Sequence, residues 1–105
     1  MDNNLLKEIC AALNTGNRLA LVTVIRTSGS TPQKAGSQMI VQMDGKTLGT
    51  IGGGCAEAAA RLEALTALDE NRPRTYKIEL LNDVAAQEGM VCGGIMELFI
   101  NVLPC

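Results

Sequence analysis

Hydrophobic positions along the first half of the chain change from helical to strand-like spacing. In residues 5–13 they recur every three to four positions, which predicts an amphipathic helix. A β-branched run at residues 19–25 predicts a buried strand. Two further apolar runs, joined at Asp44-Gly45, predict a β-hairpin with a type I′ turn. The strands of this hairpin would cover residues 37–43 and 46–51.

The second half of the chain returns to a helix and then to strands. The residues after Gly54 have helical spacing to about Leu68, and strand-like runs follow at 75–81 and 95–103. The acidic segment 82–89 between these runs predicts a loop or a short helix. We expect the helix to face the core through Ala58, Leu62, Leu65 and Leu68. This order predicts an α+β fold, a single small domain over residues 1–105 with two main helices and a mixed β-sheet of about five strands.

Composition and charge narrow the classes of partner. The 105 residues carry a net charge of −2 and only 2% aromatic residues, whereas nucleic-acid-binding proteins present basic patches and stacking platforms. No apolar run approaches the roughly 20 residues that span a bilayer, and the N-terminus lacks the pattern of a signal peptide. We therefore expect a cytoplasmic protein that binds neither nucleic acid nor a membrane.

The four cysteines favour reduced thiols over a disulfide framework. They are widely spaced, without a Cys-x-x-Cys pair, and the chain has no histidine to complete a common zinc site. Such spacing is typical of a protein from a reducing compartment. Cys10 falls on the apolar face of the first helix, where we expect it to be a core residue.

Candidate chemistry concentrates in the run Gly52-Gly53-Gly54-Cys55-Ala56-Glu57. A glycine loop that opens a helix gathers free N–H groups at the positive end of the helix dipole, which favours an anion such as phosphate. Cys55 would lie in the first helical turn, where the dipole favours a thiolate, and Glu57 could accept a hydrogen bond from a heterocycle. In the alternative interpretation, the glycines serve a tight turn, Cys55 is buried and Glu57 complements the dipole.

Two other loops carry polar or nucleophilic groups. Residues 27–36 offer four hydroxyls and Lys34, which could bind a polar anionic ligand or could simply form a long surface loop. Cys92 precedes Gly93 and Gly94, which leave its approach open; the alternative is a β-bulge with a buried cysteine. The apolar face of the predicted sheet also favours a homodimer.

Several ordered motifs resemble those of the XdhC/CoxI family, whose members are accessory factors for xanthine dehydrogenase and related molybdenum hydroxylases. The resemblance extends over about residues 5–103. The motifs are Gly29-Ser30-Thr31-Pro32, Ala35-Gly36-Ser37-Gln38-Met39, Asp44-Gly45, Gly49-Thr50-Ile51-Gly52-Gly53-Gly54-Cys55-Ala56-Glu57, and Gly89-Met90-Val91-Cys92-Gly93-Gly94-Ile95-Met96-Glu97-Leu98-Phe99-Ile100.

This resemblance implies a molybdenum-cofactor chaperone rather than an enzyme. Such a protein binds the molybdopterin cofactor or its dinucleotide form, protects it while a cysteine desulfurase supplies a sulfido ligand, and passes it to an apo-molybdenum hydroxylase. Soft thiolates suit molybdenum, so Cys55 and Cys92 would contact the metal or its sulfur ligands. The implied cofactor site comprises Ser30, Thr31, Lys34, Gly52, Gly53, Gly54, Cys55, Glu57, Cys92, Gly93 and Gly94.

The chain departs from the family pattern in two places. Gln33 and Lys34 follow the first motif where members often carry arginine, so Lys34 would supply a point charge without a bidentate fork. Longer relatives continue into a C-terminal Rossmann-like domain, which we do not expect in residues 1–105 and which could be a separate partner.

Two other classes of function stay open. One is a thiol-based sulfur transferase with Cys55 as the nucleophile; because the chain lacks histidine, Glu57 or Lys34 would have to act as the base. The other is a structural adaptor without a ligand, for which the glycine loop would matter only to stability.

Overall fold

The computed structural model describes residues 3–29, 31, 33–79 and 94–104. Two helices and five strands form one α+β domain, which confirms the predicted fold class. The predicted segment 82–89 lies outside the described residues. The elements are α1 (Asn3–Asn14), β1 (Leu19–Ser28), β2 (Gln38–Gln42), β3 (Thr47–Gly49), α2 (Gly54–Glu70), β4 (Arg74–Glu79) and β5 (Ile95–Leu103).

The five strands form one sheet in the order β3-β2-β1-β5-β4. All four described strand pairings are antiparallel, whereas the sequence predicted a mixed sheet. The reason lies in the connections, because parallel neighbours need a crossover and α2 is the element that could provide one. It instead joins β3 at one edge to β4 at the other edge, and these strands are not neighbours.

Hydrophobic clusters cover both faces of the sheet. On one face, Leu5 and Ile9 of α1 pack against Leu19 of β1 and Ile40 of β2. The opposite face carries the larger cluster, which is covered by α2. This cluster contains Ala20, Val22, Val24, Met39, Val41, Ile51, Ala56, Ala60, Ala64, Ala67, Leu68, Ile78, Met96, Leu98, Ile100 and Val102.

Helix α2 faces the sheet with alanines and not with the predicted leucine stripe. Ala56, Ala60, Ala64 and Ala67 are buried at helical spacing, whereas Leu62 is 64% exposed. Of the other predicted positions, Ala58 is exposed, Leu65 is partly buried against the core and Leu68 is buried. Small side chains allow the helix backbone to lie close to the sheet, so the longer leucine at position 62 is left on the outer surface.

We expect Ala60→Leu to lower the free energy of unfolding by about 1–3 kcal/mol, because extra methyl groups at a fully buried position force the helix away from the sheet. The matched control is Ala58→Leu, which makes the same change at an exposed position of the same helix and should shift stability by less than about 0.5 kcal/mol. Urea unfolding measures both values. Equal effects of the two substitutions would contradict the close alanine packing.

Polar contacts tie α2 to elements near both edges of the sheet. The Arg61 Nε donates to the Gly45 carbonyl oxygen at 2.8 Å and so ties α2 to the turn between β2 and β3. Arg74 of β4 pairs with Glu63 at 3.2 Å and also with Glu70. The N-terminus of α2 is therefore presented on a helix anchored along its length.

Two local predictions are corrected by the structure. The exposed side of α1 carries Leu6, Cys10 and Leu13, so Cys10 is not a core residue. The hairpin turn has a positive φ at Gly45 and not at Asp44, which excludes a type I′ turn. A Gly45 N–H to Gln42 O bond of 2.9 Å instead indicates a three-residue loop. Neither described helix is long and apolar enough to cross a membrane.

Candidate functional site: the glycine loop at the start of α2

The topology brings two of the candidate loops and the start of β5 to one end of the sheet. β1 ends at Ser28, which pairs with Ile95 at the start of β5. β3 ends at Gly49, which pairs with Met39 near the start of β2. Since all these strands are antiparallel, the loop after β1, the loop after β3 and Gly94 directly before β5 lie at the same end of the sheet.

The glycine loop is closed by an internal carboxylate. Gly52, Gly53 and Gly54 all have positive φ values, of 129°, 73° and 56°, which L-residues with side chains rarely adopt. Gly53 precedes α2 and carries no side-chain cap of its own. Its N–H instead donates to Glu57 Oε2 at 2.5 Å, and the Thr50 hydroxyl donates to the same oxygen. Glu57 thus provides the cap from the first turn of the helix.

Backbone N–H groups beyond this cap stay open. Within the described part of the chain, the N–H groups of Gly54, Cys55 and Ala56 form no hydrogen bond, as expected for the first turn of a helix. A Cβ on Gly54 would meet nothing within 4 Å, so the loop is open to solvent there. Cys55 is an exposed free thiol, which excludes the interpretation as a buried hydrophobe.

The loop after β1 is held by its own contacts. The Thr31 hydroxyl donates to the Gln33 carbonyl oxygen at 2.9 Å, and the Ser37 hydroxyl donates to the Gln33 side chain at 3.1 Å. The Ser37 N–H reaches the Lys34 carbonyl oxygen at 3.2 Å. The Lys34 side chain is exposed and forms no ion pair with any described residue. The exposed ammonium group of Lys34 therefore belongs to a loop at the same end of the sheet as the glycine loop.

The predicted site residues fall into three groups. Gly52, Gly53, Gly54, Cys55 and Glu57 lie together at the start of α2, whereas Thr31 and Lys34 lie in the loop after β1. Gly94 is buried directly before β5. Ser30, Cys92 and Gly93 lie outside the described residues. Among residues 3–29, 31, 33–79 and 94–104, no group of three or more His, Cys, Asp or Glu residues could hold a metal ion.

Sequence reasoning did not include Thr50 among the site residues. Its hydroxyl accepts a hydrogen bond from the Gly52 N–H at 3.0 Å and donates to Glu57, so it joins both ends of the loop. The sequence contains a pattern that predicts the Thr50–Gly52 bond. A threonine two residues before a glycine is typical of a turn in which the hydroxyl accepts a backbone hydrogen bond.

Two surface clefts lie at the opposite end of the sheet from the glycine loop. Their volumes are about 370 and 290 Å³, and they share Arg18 and Met43. Arg18 directly precedes β1, and Met43 directly follows β2. Neither cleft is lined by a predicted site residue.

Solved structures contain the same fold. A xanthine dehydrogenase from Bacillus halodurans matches with a TM-score of 0.73, over 93% of this chain and 30% of that chain. The two are 23% identical in sequence, so this match establishes the fold alone.

Three relatives are similar in sequence. The uncharacterized protein YqeB of Escherichia coli (strain K12) is 40% identical over 83 residues, which cover 79% of this chain and 15% of YqeB. The molybdenum cofactor insertion chaperone PaoD of the same organism is 39% identical over 66 residues, covering 63% of this chain and 21% of PaoD. A probable xanthine dehydrogenase subunit of Bacillus subtilis (strain 168) is 28% identical over 91 residues, covering 84% of this chain and 27% of that protein.

The chain therefore spans well under a third of the length of each of these relatives. The family model described as the XdhC and CoxI family matches residues 12–79, which include α2 and the glycine loop. Because this match covers more than half of the chain, the chain belongs to the XdhC and CoxI family.

Proposed function

We propose that this domain binds the molybdenum cofactor and delivers it to a xanthine dehydrogenase-type molybdenum hydroxylase. The observation that carries the proposal is the exposed thiol of Cys55 directly after the glycine loop. Membership of the XdhC and CoxI family and the identity of 39% with PaoD support this role. PaoD is named for insertion of a cofactor and not for a catalysed reaction, which supports a role without catalysis here.

The groups at the start of α2 have the chemistry that the pterin and molybdenum end of the cofactor requires. A thiolate is a soft ligand suited to molybdenum or its sulfur ligands, and Cys55 is accessible to them. Glu57 offers a carboxylate as an acceptor for ring N–H groups. Open N–H groups at Gly54 and Ala56 offer donors to ring oxygens. When bound, the cofactor supplies the molybdenum centre that the recipient hydroxylase needs for oxidation.

The proposed delivery also involves partner proteins. The domain would hold the cofactor in the cytoplasm while a cysteine desulfurase supplies sulfur, with Cys92 as a second thiol. A separate Rossmann-type domain would complete the assembly. A homodimer would cover four of the six large apolar side chains that are exposed in the described part of the chain. These are Leu6, Leu13, Ile25 and Phe99, which are 50%, 38%, 49% and 37% exposed.

The test is anaerobic equilibrium binding of the molybdenum cofactor to the purified full chain and its serine variants. We expect stoichiometric binding by the wild type and at least about tenfold weaker binding by Cys55→Ser, the smallest loss typical when a group supporting a metal is removed. Cys10→Ser is the matched control, because Cys10 is also an exposed free cysteine on a helix. Its binding should equal that of the wild type.

Two outcomes would count against this proposal. Equal binding by Cys55→Ser and the wild type would remove the thiol from the site. Multiple turnovers with a covalent Cys55 adduct would instead identify a sulfur transferase. Cys92→Ser, measured in the same series, tests whether the second predicted thiol contributes.

A further inference from the structure

The carboxylate of Glu57 occupies the place where an external anion would bind at the start of α2. Its Oε2 accepts from the Gly53 N–H and from the Thr50 hydroxyl. These are the donors that a phosphate oxygen would otherwise use at a glycine loop before a helix. The Glu57 side chain is half-buried and forms no ion pair with any described cation.

The charges at this position decide which ligands it favours. The N-terminus of a helix carries about half a positive charge, whereas an ionised carboxylate carries a full negative charge. The sum at the start of α2 is therefore negative. A phosphate on the N–H groups of Gly54 and Cys55 would lie next to the residue whose N–H donates to the Glu57 carboxylate, and nearby like charges repel.

We propose that Glu57 is a specificity-determining residue that excludes phosphate groups from the glycine loop and directs it toward neutral groups that donate hydrogen bonds. This inference rests on the proposed function only where it names the molybdenum cofactor as the ligand of the glycine loop. For a cofactor that has both a heterocycle and a phosphate, the N–H-bearing ring lies against Glu57. The phosphate lies away from the glycine loop.

The test uses inorganic phosphate and the amide NMR signals of the full chain, at constant ionic strength set with chloride. In the wild type, the signals of residues 53–56 should show no saturable shift with phosphate. Glu57→Gln keeps an oxygen acceptor for the Gly53 N–H but removes the charge, so these signals should then saturate, with binding at least about tenfold tighter. Unchanged signals from the sheet would verify that the variant is folded.

Two control variants separate charge from loop structure. Glu79→Gln removes the same charge from an exposed residue at the end of β4 and should not create phosphate binding. Thr50→Val removes one donor to Glu57 but keeps its charge, and it should also exclude phosphate. If phosphate binding appears in Thr50→Val, loop structure and not charge is the cause, and the inference is overturned.

The same titration is independent of cofactor binding. Equal phosphate binding by the wild type and Glu57→Gln, or binding by neither, would overturn the role of Glu57 even if the cofactor binds. A gain confined to Glu57→Gln would support that role even if the wild type fails to bind the cofactor. Failure of the inference is therefore distinguishable from failure of the proposed function.

Discussion

Leu98→Ala is expected to lower the free energy of unfolding by about 2–5 kcal/mol, the range typical for truncation of a buried leucine. Leu98 is fully buried in β5 and belongs to the larger hydrophobic cluster. It pairs with Val24 of β1 on one side and Tyr76 of β4 on the other. Backbone bonds to both strands limit how far the sheet can close around the cavity, which favours the upper part of the range.

Urea unfolding of Leu98→Ala and Leu62→Ala compares the loss in free energy of unfolding at a buried and at an exposed leucine. Both variants lose the same atoms, but Leu62 is 64% exposed on the outer side of α2. We expect a change of less than about 0.5 kcal/mol for Leu62→Ala. A loss at position 62 as large as that at position 98 would mean that the outer surface of α2 is covered in solution.

Gly49→Ala is expected to cost about 2–4 kcal/mol, because strain and collision act together. Gly49 has a φ of 85°, which costs an alanine about 1–2 kcal/mol. A Cβ there would also lie 2.8 Å from the Gln38 carbonyl oxygen and 3.1 Å from Leu5 Cδ2. The carbonyl belongs to the β2 backbone and cannot rotate away as a flexible side chain could.

Gly16→Ala separates these two contributions. Gly16 has a similar φ of 80°, but a Cβ at this position would meet nothing within 4 Å. Its substitution should cost only the strain of about 1–2 kcal/mol. Thermal or urea unfolding of the two variants measures the difference. Equal losses would show that β2 shifts freely to accept the extra methyl group.

Local patterns were enough to predict most of the elements. The strand predicted at 95–103 is β5 (Ile95–Leu103), and the helix predicted after Gly54 is α2, which begins one residue earlier, at Gly54 itself. Helix α2 ends with its C-cap at Asn71, which adopts a left-handed conformation with a φ of 53° two residues before Pro73. These features depend on neighbours in sequence, such as a proline after the helix or a β-branched run, so the sequence alone carries them.

The side of each helix that faces the sheet was harder to predict. In α2, leucines and alanines both recur at helical spacing, and the pattern alone favours the face with the larger residues as the core. The actual choice depends on the distance between helix and sheet, which is a property of the tertiary structure. The same limit applies to Cys10, whose neighbour Ile9 faces the core.

That the residues of the glycine loop form a binding site stays a prediction. Residue order alone was enough to place the glycine loop before a helix and Cys55 in its first turn. The contact between Thr50 and Glu57 joins residues on opposite sides of the glycine turn. Its geometry depends on three successive positive φ values, which sequence patterns do not specify.

The central position of β1 and β5 has a consequence for how the domain folds. They are the first and last described strands along the chain, and Leu19 is paired directly with Leu103. The hairpins around β2 can close early, but the sheet gains its centre only after a large loop closes, at a high entropic cost. Formation of the sheet's centre therefore depends on non-local contacts, which slow folding relative to a helical bundle. On the ribosome, one edge of β1 stays unpaired until β5 emerges.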